Sequence, residues 1–263
     1  MNLKLRIMIL VLIMGLIIIG PHLKFDRGQL PPKEKALTEK PSVRMVLVLD
    51  DLGYTDKGLG SLKDIEVPLT LAVLPGTPYV EKVCSFARNN EMEVIVHLPM
   101  EPENSTSALE KETILTNMDD ETIRNSVSGM INSVRGARGI SNHMGSKATA
   151  DRRVMKIIME ELKKRNMIFL DSVTTRRSVC REVALETGVP YVKRDIFIDN
   201  LKEEDVIHEQ LEKAAGIAHS NGKAVVIGHY RPLTIKVLKD AVPGIREEGV
   251  EFVRLSEIIR KRE

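Results

Sequence analysis

The chain has 263 residues, 43% of them hydrophobic and 29% charged, with a formal net charge of +2 at neutral pH. That length suits one sizeable domain with its own core. The near balance of charge argues against a nucleic-acid binder, which would carry a strong basic excess, and clusters such as EELKKR and IIRKRE read as solvated helix faces.

In chain order, MNLKLR carries Lys4 and Arg6 and is followed by IMILVLIMGLIIIG, a run without a single charge. This is the charge order of a secretory signal. A helix over Ile7–Gly20 would rise about 21 Å, against a hydrocarbon core of about 30 Å, so Leu3, Leu5 and Leu23 are needed to make a marginal span. No small-x-small cleavage site follows, and Pro21 stands where a mature N-terminus would begin. Residues 1–23 are therefore expected to form an uncleaved membrane anchor, with a cleaved signal peptide as the alternative, and the positive flank places the rest of the chain outside the cytoplasm. Residues 24–42 include FDRGQLPPKEKALTEKPS, a polar stretch with three prolines and no periodicity, which reads as a flexible linker.

From Val43 onward short apolar runs alternate with amphipathic stretches. The runs are MVLVLD, VPLTLAVLP, MEVIVHLP, RGISNH, NMIFLDS, PYVKRDIF, AVVIGH and VEFVRL. Strands buried on both faces read as continuous Val/Ile/Leu runs, and alternation with helices implies parallel pairing. The expected fold class of residues 43–263 is α/β: a distorted β/α barrel of seven or eight parallel strands, with an open doubly wound sheet as the competing architecture. The Gly58–Gly60 stretch GLG lacks the third glycine of a dinucleotide fingerprint. Cys84 and Cys180, the only cysteines, could pair in an oxidising compartment or stay as buried thiols.

Both architectures place function at the C-terminal ends of the strands. At those ends lie Asp50 and Asp51 in LVLDDLG, His97 in VIVHLPME, His143 in ISNHMGS, Asp171 in FLDS, Arg194 and Asp195 in VKRDIF, and His229 in VVIGHY. Three of the six histidines thus fall on one rim with a double aspartate, an arrangement costly to bury without a purpose. An aspartate and two histidines suit a divalent cation that keeps open positions, with zinc the natural candidate. The other aspartate could then act as base and His229 as acid. Adjacent residues of a strand point to opposite sides, so Asp50 and Asp51 are expected to differ in role.

The ordered motifs LDDLG, HLPMEP, NHMGS, FLDS, KRDIFID and IGH resemble the divergent polysaccharide deacetylase family, a branch of the carbohydrate esterases with a NodB-like barrel, from Val43 to about Glu257. The resemblance implies hydrolysis of acetyl groups on envelope carbohydrate. It makes Asp51, His97 and His143 the metal ligands, Asp50 the base and His229 the acid-side histidine, with Asp195 and Arg194 as the pair that orients a catalytic residue. Better-studied members carry both histidine ligands on one H-x-x-x-H segment, whereas these come from two strands. The partners implied are an acetylated carbohydrate, a metal ion and, through the N-terminal segment, a membrane. A non-catalytic barrel binding glycan or an envelope protein, and a hydrolase of another ester or amide, are the competing readings; the absence of Trp argues against a long polymer bound on aromatic platforms. A reporter that works only outside the cytoplasm, fused after Glu263, is expected to be active; activity of only a cytoplasmic reporter there would overturn the proposed topology.

Overall fold

The computed structural model describes residues 43–104 and 108–259. The chain divides after Lys40, and these residues belong to its second unit. The expected anchor (1–23) and linker (24–42) lie outside the described residues, among which no helix is long and apolar enough to cross a membrane.

All eight apolar runs form strands, and the sixth is broken in two. They are β1 (Val43–Leu52), β2 (Leu69–Val73), β3 (Glu93–Met100), β4 (Gly139–Met144), β5 (Ile168–Asp171), β6 (Tyr191–Lys193), β7 (Ile196–Phe197), β8 (Lys223–His229) and β9 (Val250–Phe252). Between and after them run α1 (Val80–Asn89), α2 (Asp120–Ser133), α3 (Arg152–Lys164), α4 (Cys180–Thr187), α5 (Glu204–Asn221), α6 (Pro232–Glu247) and α7 (Leu255–Ile259). Helix starts follow local chemistry: Asp119 and Asp151 accept from the backbone N–H groups of Thr122 and Val154 at the heads of α2 and α3. Gly222 ends α5 at φ 76, the left-handed cap that the Asn-Gly pair announces.

Every pairing is parallel, in the order β6-β5-β4-β3-β2-β1-β8-β7, with β9 added beside β1. The two ends of this path, β6 and β7, are neighbours in sequence. The chain pairs with β5 up to Arg194, whose N–H donates to the Asp171 carbonyl, and with β8 from Asp195, whose N–H donates to the Val225 carbonyl. The sheet therefore curls until one broken strand joins its edges, and the distorted barrel has its seam between Arg194 and Asp195.

Two apolar layers result. Val46, Val48, Ala72, Ile95, Ile168, Leu170, Val192, Val225 and Ile227 fill the barrel, while Leu47, Leu71, Val94, Ile140 and Phe169 face outward under the helices. Leu255 and Ile258 of α7 join the inner cluster. The leading N–H groups of α7 are held by Thr70 Oγ1 and Glu93 Oε1, at the starts of β2 and β3. That helix seals the N-terminal end of the barrel, leaving the C-terminal end as the mouth. Cys84 and Cys180 are both buried free thiols.

Asp195 belongs to the seam and not to the mouth. Its carboxylate accepts from the Val225 N–H at 2.8 Å, standing in for a strand carbonyl where the pairing changes partner. This corrects its assignment to the catalytic rim. Asp195→Ala leaves a buried N–H unpaired and is expected to cost about 1–3 kcal/mol of stability while any affinity for a divalent cation stays unchanged. Denaturant unfolding and metal titration of the variant check both halves, and a large loss of metal binding would return Asp195 to the site.

Candidate active site

Alternation along β1 turns Val46, Val48 and Asp50 into the barrel, where Asp50 ends the row at 2% exposure. A regular strand would send Asp51 the opposite way. Instead the register against β2 shifts between Leu49 and Leu52, and Asp51 takes φ 65, a left-handed conformation that Asp tolerates better than most residues. Both carboxylates consequently face one mouth, which strict alternation did not anticipate. Gly53 completes the turn at φ 121; a Cβ there would lie 2.1 Å from Thr77 Oγ1, so a side chain has no room.

The histidines arrive on neighbouring strands. His97 of β3 pairs in register with Ser141 of β4, and Pro99 with His143. Ser141 Oγ lies 2.8 Å from His97 Nδ1, which leaves Nε2 facing Asp51 Oδ1 at 3.3 Å. His143 Nδ1 stands 3.1 Å from the same oxygen, and the two rings meet edge to face with centroids 5.0 Å apart. All three ligand atoms fall within 4.8 Å of one another. Tetrahedral zinc, with bonds of about 2.0–2.1 Å, sets neighbouring donors about 3.3–3.4 Å apart, close to the two distances above. Asp51 Oδ1 is also buried without a hydrogen-bond partner, a costly state unless a cation completes it. The donor set fits a divalent metal with room for further ligands. Glu204, His208 and Asp240 also converge, but the Lys236 ammonium, 2.8 and 2.7 Å from the two oxygens of Glu204, already neutralises that group.

Charge states follow from burial and neighbours. Burial drives the Asp50 carboxyl well above the ordinary range, Asp51 and Asp199 push the same way, and Arg194 opposes them. Burial would raise Asp51 too, but the two imidazoles facing it hold it well below the carboxylate range. Burial likewise pushes the His97 ring down to about 4, against the pull of Asp51, so the ring is neutral and ready to ligate at neutral pH.

On the other side of β1, Asp50 pairs in register with His229 of β8. His229 Nε2 lies 4.0 Å from Asp51 Oδ2, while its Nδ1 is 2.7 Å from Asp199 Oδ1. Asp199 is 1% exposed; its Oδ2 also accepts from the His229 N–H at 2.8 Å and the Thr234 hydroxyl at 2.6 Å. Burial would raise the Asp199 carboxyl, but these bonds hold it below its ordinary value. The residue that orients His229 is thus Asp199, four positions beyond Asp195. The signal was present: Asp199 ends the run RDIFID, and strand ends were the places to look.

Arg194 reaches the site by another route. Its Nε and Nη2 donate to the carbonyls of Ser172 and Val173, and its charge acts on Asp50. Those carbonyls sit on a strained turn, with Val173 at φ 51, held because Asn142 Oδ1 accepts from the Ser172 N–H and Asp171 Oδ1 from the Val173 N–H. Asp171 also takes the Ser178 and Tyr191 hydroxyls, so it fixes this turn and does not face the reacting groups. Of the two rim tyrosines, Tyr54 is half exposed against Glu110, and Tyr230 donates to the Lys57 carbonyl.

Comparison with known proteins agrees with this architecture. A family model described as divergent polysaccharide deacetylase matches residues 47–259. The uncharacterised YibQ protein of Escherichia coli K12 is 34% identical over 218 residues, covering 83% of this chain and 68% of its own. The crystal structure of an uncharacterised protein from Agrobacterium tumefaciens C58 superposes with a TM-score of 0.78 at 21% identity, covering 84% of this chain and 91% of its own. A peptidoglycan N-acetylglucosamine deacetylase, Bc1960, superposes at 0.50 with 14% identity, covering 84% of this chain and 90% of its own.

Zinc titrated into the full chain is expected to bind one per molecule. Alanine at Asp51, His97 or His143 should weaken it by at least about a hundredfold, and Ser141→Ala by about 10–100-fold through loss of ring orientation. Affinity falls on acidification because protons compete for the ring nitrogens. Calorimetry checks each step, and unchanged affinity in His143→Ala would remove that residue from the centre.

Proposed function

The chain belongs to the divergent polysaccharide deacetylase family, and we propose that it is a zinc-dependent hydrolase removing acetyl groups from envelope carbohydrate. The observation that carries this reading is the sharing of one mouth by three unlike devices. These are a ligand trio, a buried carboxylate whose Oδ1 has no partner, and a histidine braced by a second carboxylate.

The bound cation would polarise the acyl carbonyl and lower the pKa of water at the centre. Asp51, His97 and His143 hold it. Asp50, with its raised proton affinity, takes the proton from the attacking water, and the positive charge of Arg194 opposes that rise. His229 gives a proton to the departing sugar nitrogen or oxygen through Nε2, since Nδ1 is committed to Asp199. Asp199 fixes the ring through its bond to Nδ1. The products are acetate and a free sugar amine or hydroxyl. The rim offers Tyr54 and no tryptophan, which suits a short stretch of glycan. The location proposed for this activity is outside the cytoplasm, tethered by residues 1–23.

Metal-loaded protein assayed on N- and O-acetylated oligosaccharides is expected to release acetate, and chelation to abolish release. Asp50→Asn and His229→Ala should retain zinc and lose about 10²–10⁴-fold in kcat. Asp50→Asn carries a second signature in the metal-free protein. A carboxyl whose folded-state pKa is raised costs stability above its unfolded value, so removing its charge should raise the Tm of the metal-free variant at neutral pH. Wild-type protein that binds zinc yet releases no acetate, or undiminished turnover in Asp50→Asn, would overturn the assignment.

A further inference from the structure

One aromatic ring touches both the acid-side histidine and the arginine that acts on the base. Phe197 lies in β7 in register with Ile227 of β8, two residues below His229, and packs on the inner core. The Arg194 guanidinium lies over its ring, 4.1 Å from the centroid, and the His229 imidazole stacks with it, centroids 5.8 Å apart and planes within 9°. These are the geometries in which an aromatic face attracts a cation and a second ring.

The other contacts of the two partners leave one freedom each. His229 is bonded to Asp199 through Nδ1, and a single bond at one ring atom permits the ring to swing about that axis. Arg194 is anchored at Nε and Nη2 to carbonyls of the Ser172–Val173 turn, which fixes its reach but not what backs its flat face. A rigid flat contact supplies what both lack. Phe197 is itself immobilised by β8 and the core, so both partners take their pose from the barrel wall.

We propose that Phe197 is a positioning residue of the catalytic rim: its ring sets the plane of His229 and backs the guanidinium of Arg194, so that both side chains keep their pose at the mouth. The inference rests on the deacetylase reading for its kinetic consequence, and on the stack alone for its structural one.

The test uses the full, zinc-loaded chain with Phe197→Leu, which keeps apolar bulk without a ring, and Phe197→Tyr, which keeps the ring. Phe197→Leu is expected to lower kcat about tenfold or more while KM and zinc stoichiometry stay within about threefold. Phe197→Tyr should keep kcat within about threefold of wild type. A second measurement does not depend on turnover. The His229 ring protons should show an aromatic ring-current shift by NMR in wild type and Phe197→Tyr, and lose it in Phe197→Leu. If Phe197→Leu does not fold, Phe197→Met replaces it. Wild-type kcat in a ringless variant, an equal fall of kcat and stability in the leucine and tyrosine variants, or an absent shift in wild type would each overturn the proposal. Zinc-bound wild type with the ring-current shift but no turnover would reject the deacetylase reading and leave the positioning role standing.

Discussion

Two carboxylates adjacent in sequence, turned into the same mouth, one buried and one partly so, are the constraint on which the site depends. Like charges side by side in a poorly solvated place raise each other's proton affinity unless something positive is near. The protein answers the two differently. Asp51 receives the nitrogens of two imidazoles and room for a cation, and becomes the anion of the pair. Asp50, buried deeper, has only the neutral His97 ring at 3.6 Å and the opposing charge of Arg194, and keeps a strong appetite for a proton. One local event, the left-handed turn at Asp51 against a shifted strand register, creates this division.

That arrangement needs a wall that does not yield. Parallel strands supply it, since each delivers its last inward residue to the same rim, and α7 closes the opposite end so that the interior stays packed. Polar groups admitted to the rim are mostly satisfied: Ser141 serves His97, Asn142 serves the Ser172 turn, and Thr234 serves Asp199. Among the described residues the exceptions at the rim are Asp50 Oδ1, Asp51 Oδ1 and Ser172 Oγ. Unmet bonding at a reactive carboxylate is the usual form of a stability cost carried for function.

Much of this was legible beforehand. Long Val/Ile/Leu runs alternating with amphipathic stretches specify parallel strands almost regardless of detail, and the strand-end rule drew Asp50, Asp51, His97, His143 and His229 to one rim. Two things were not legible. Strict alternation says nothing about a bulge, so the common facing of Asp50 and Asp51 had to come from φ at a single residue. The run PYVKRDIF read as one strand, whereas it changes partner midway. Reading it as unbroken made Asp195 a rim residue, when the rim position fell to Asp199 after the second half had run its course along β8. Phe197 gave no signal because an apolar residue in a strand is core by default, and what sets it apart is the imidazole and the guanidinium on its ring.

The broken strand also separates the site in assembly. Asp51, His97 and His143 come from β1, β3 and β4, which with β2 form one contiguous patch of the sheet. Arg194, Phe197 and Asp199 all come from the seam, a segment that gains its place only when both edges of the sheet have met it. An incompletely closed chain could therefore collect metal ligands before it possesses a braced acid or a tempered base. Barrel closure is thereby the step that brings Arg194, Phe197 and Asp199 to a mouth where Asp51, His97 and His143 are supplied by a separate patch of sheet.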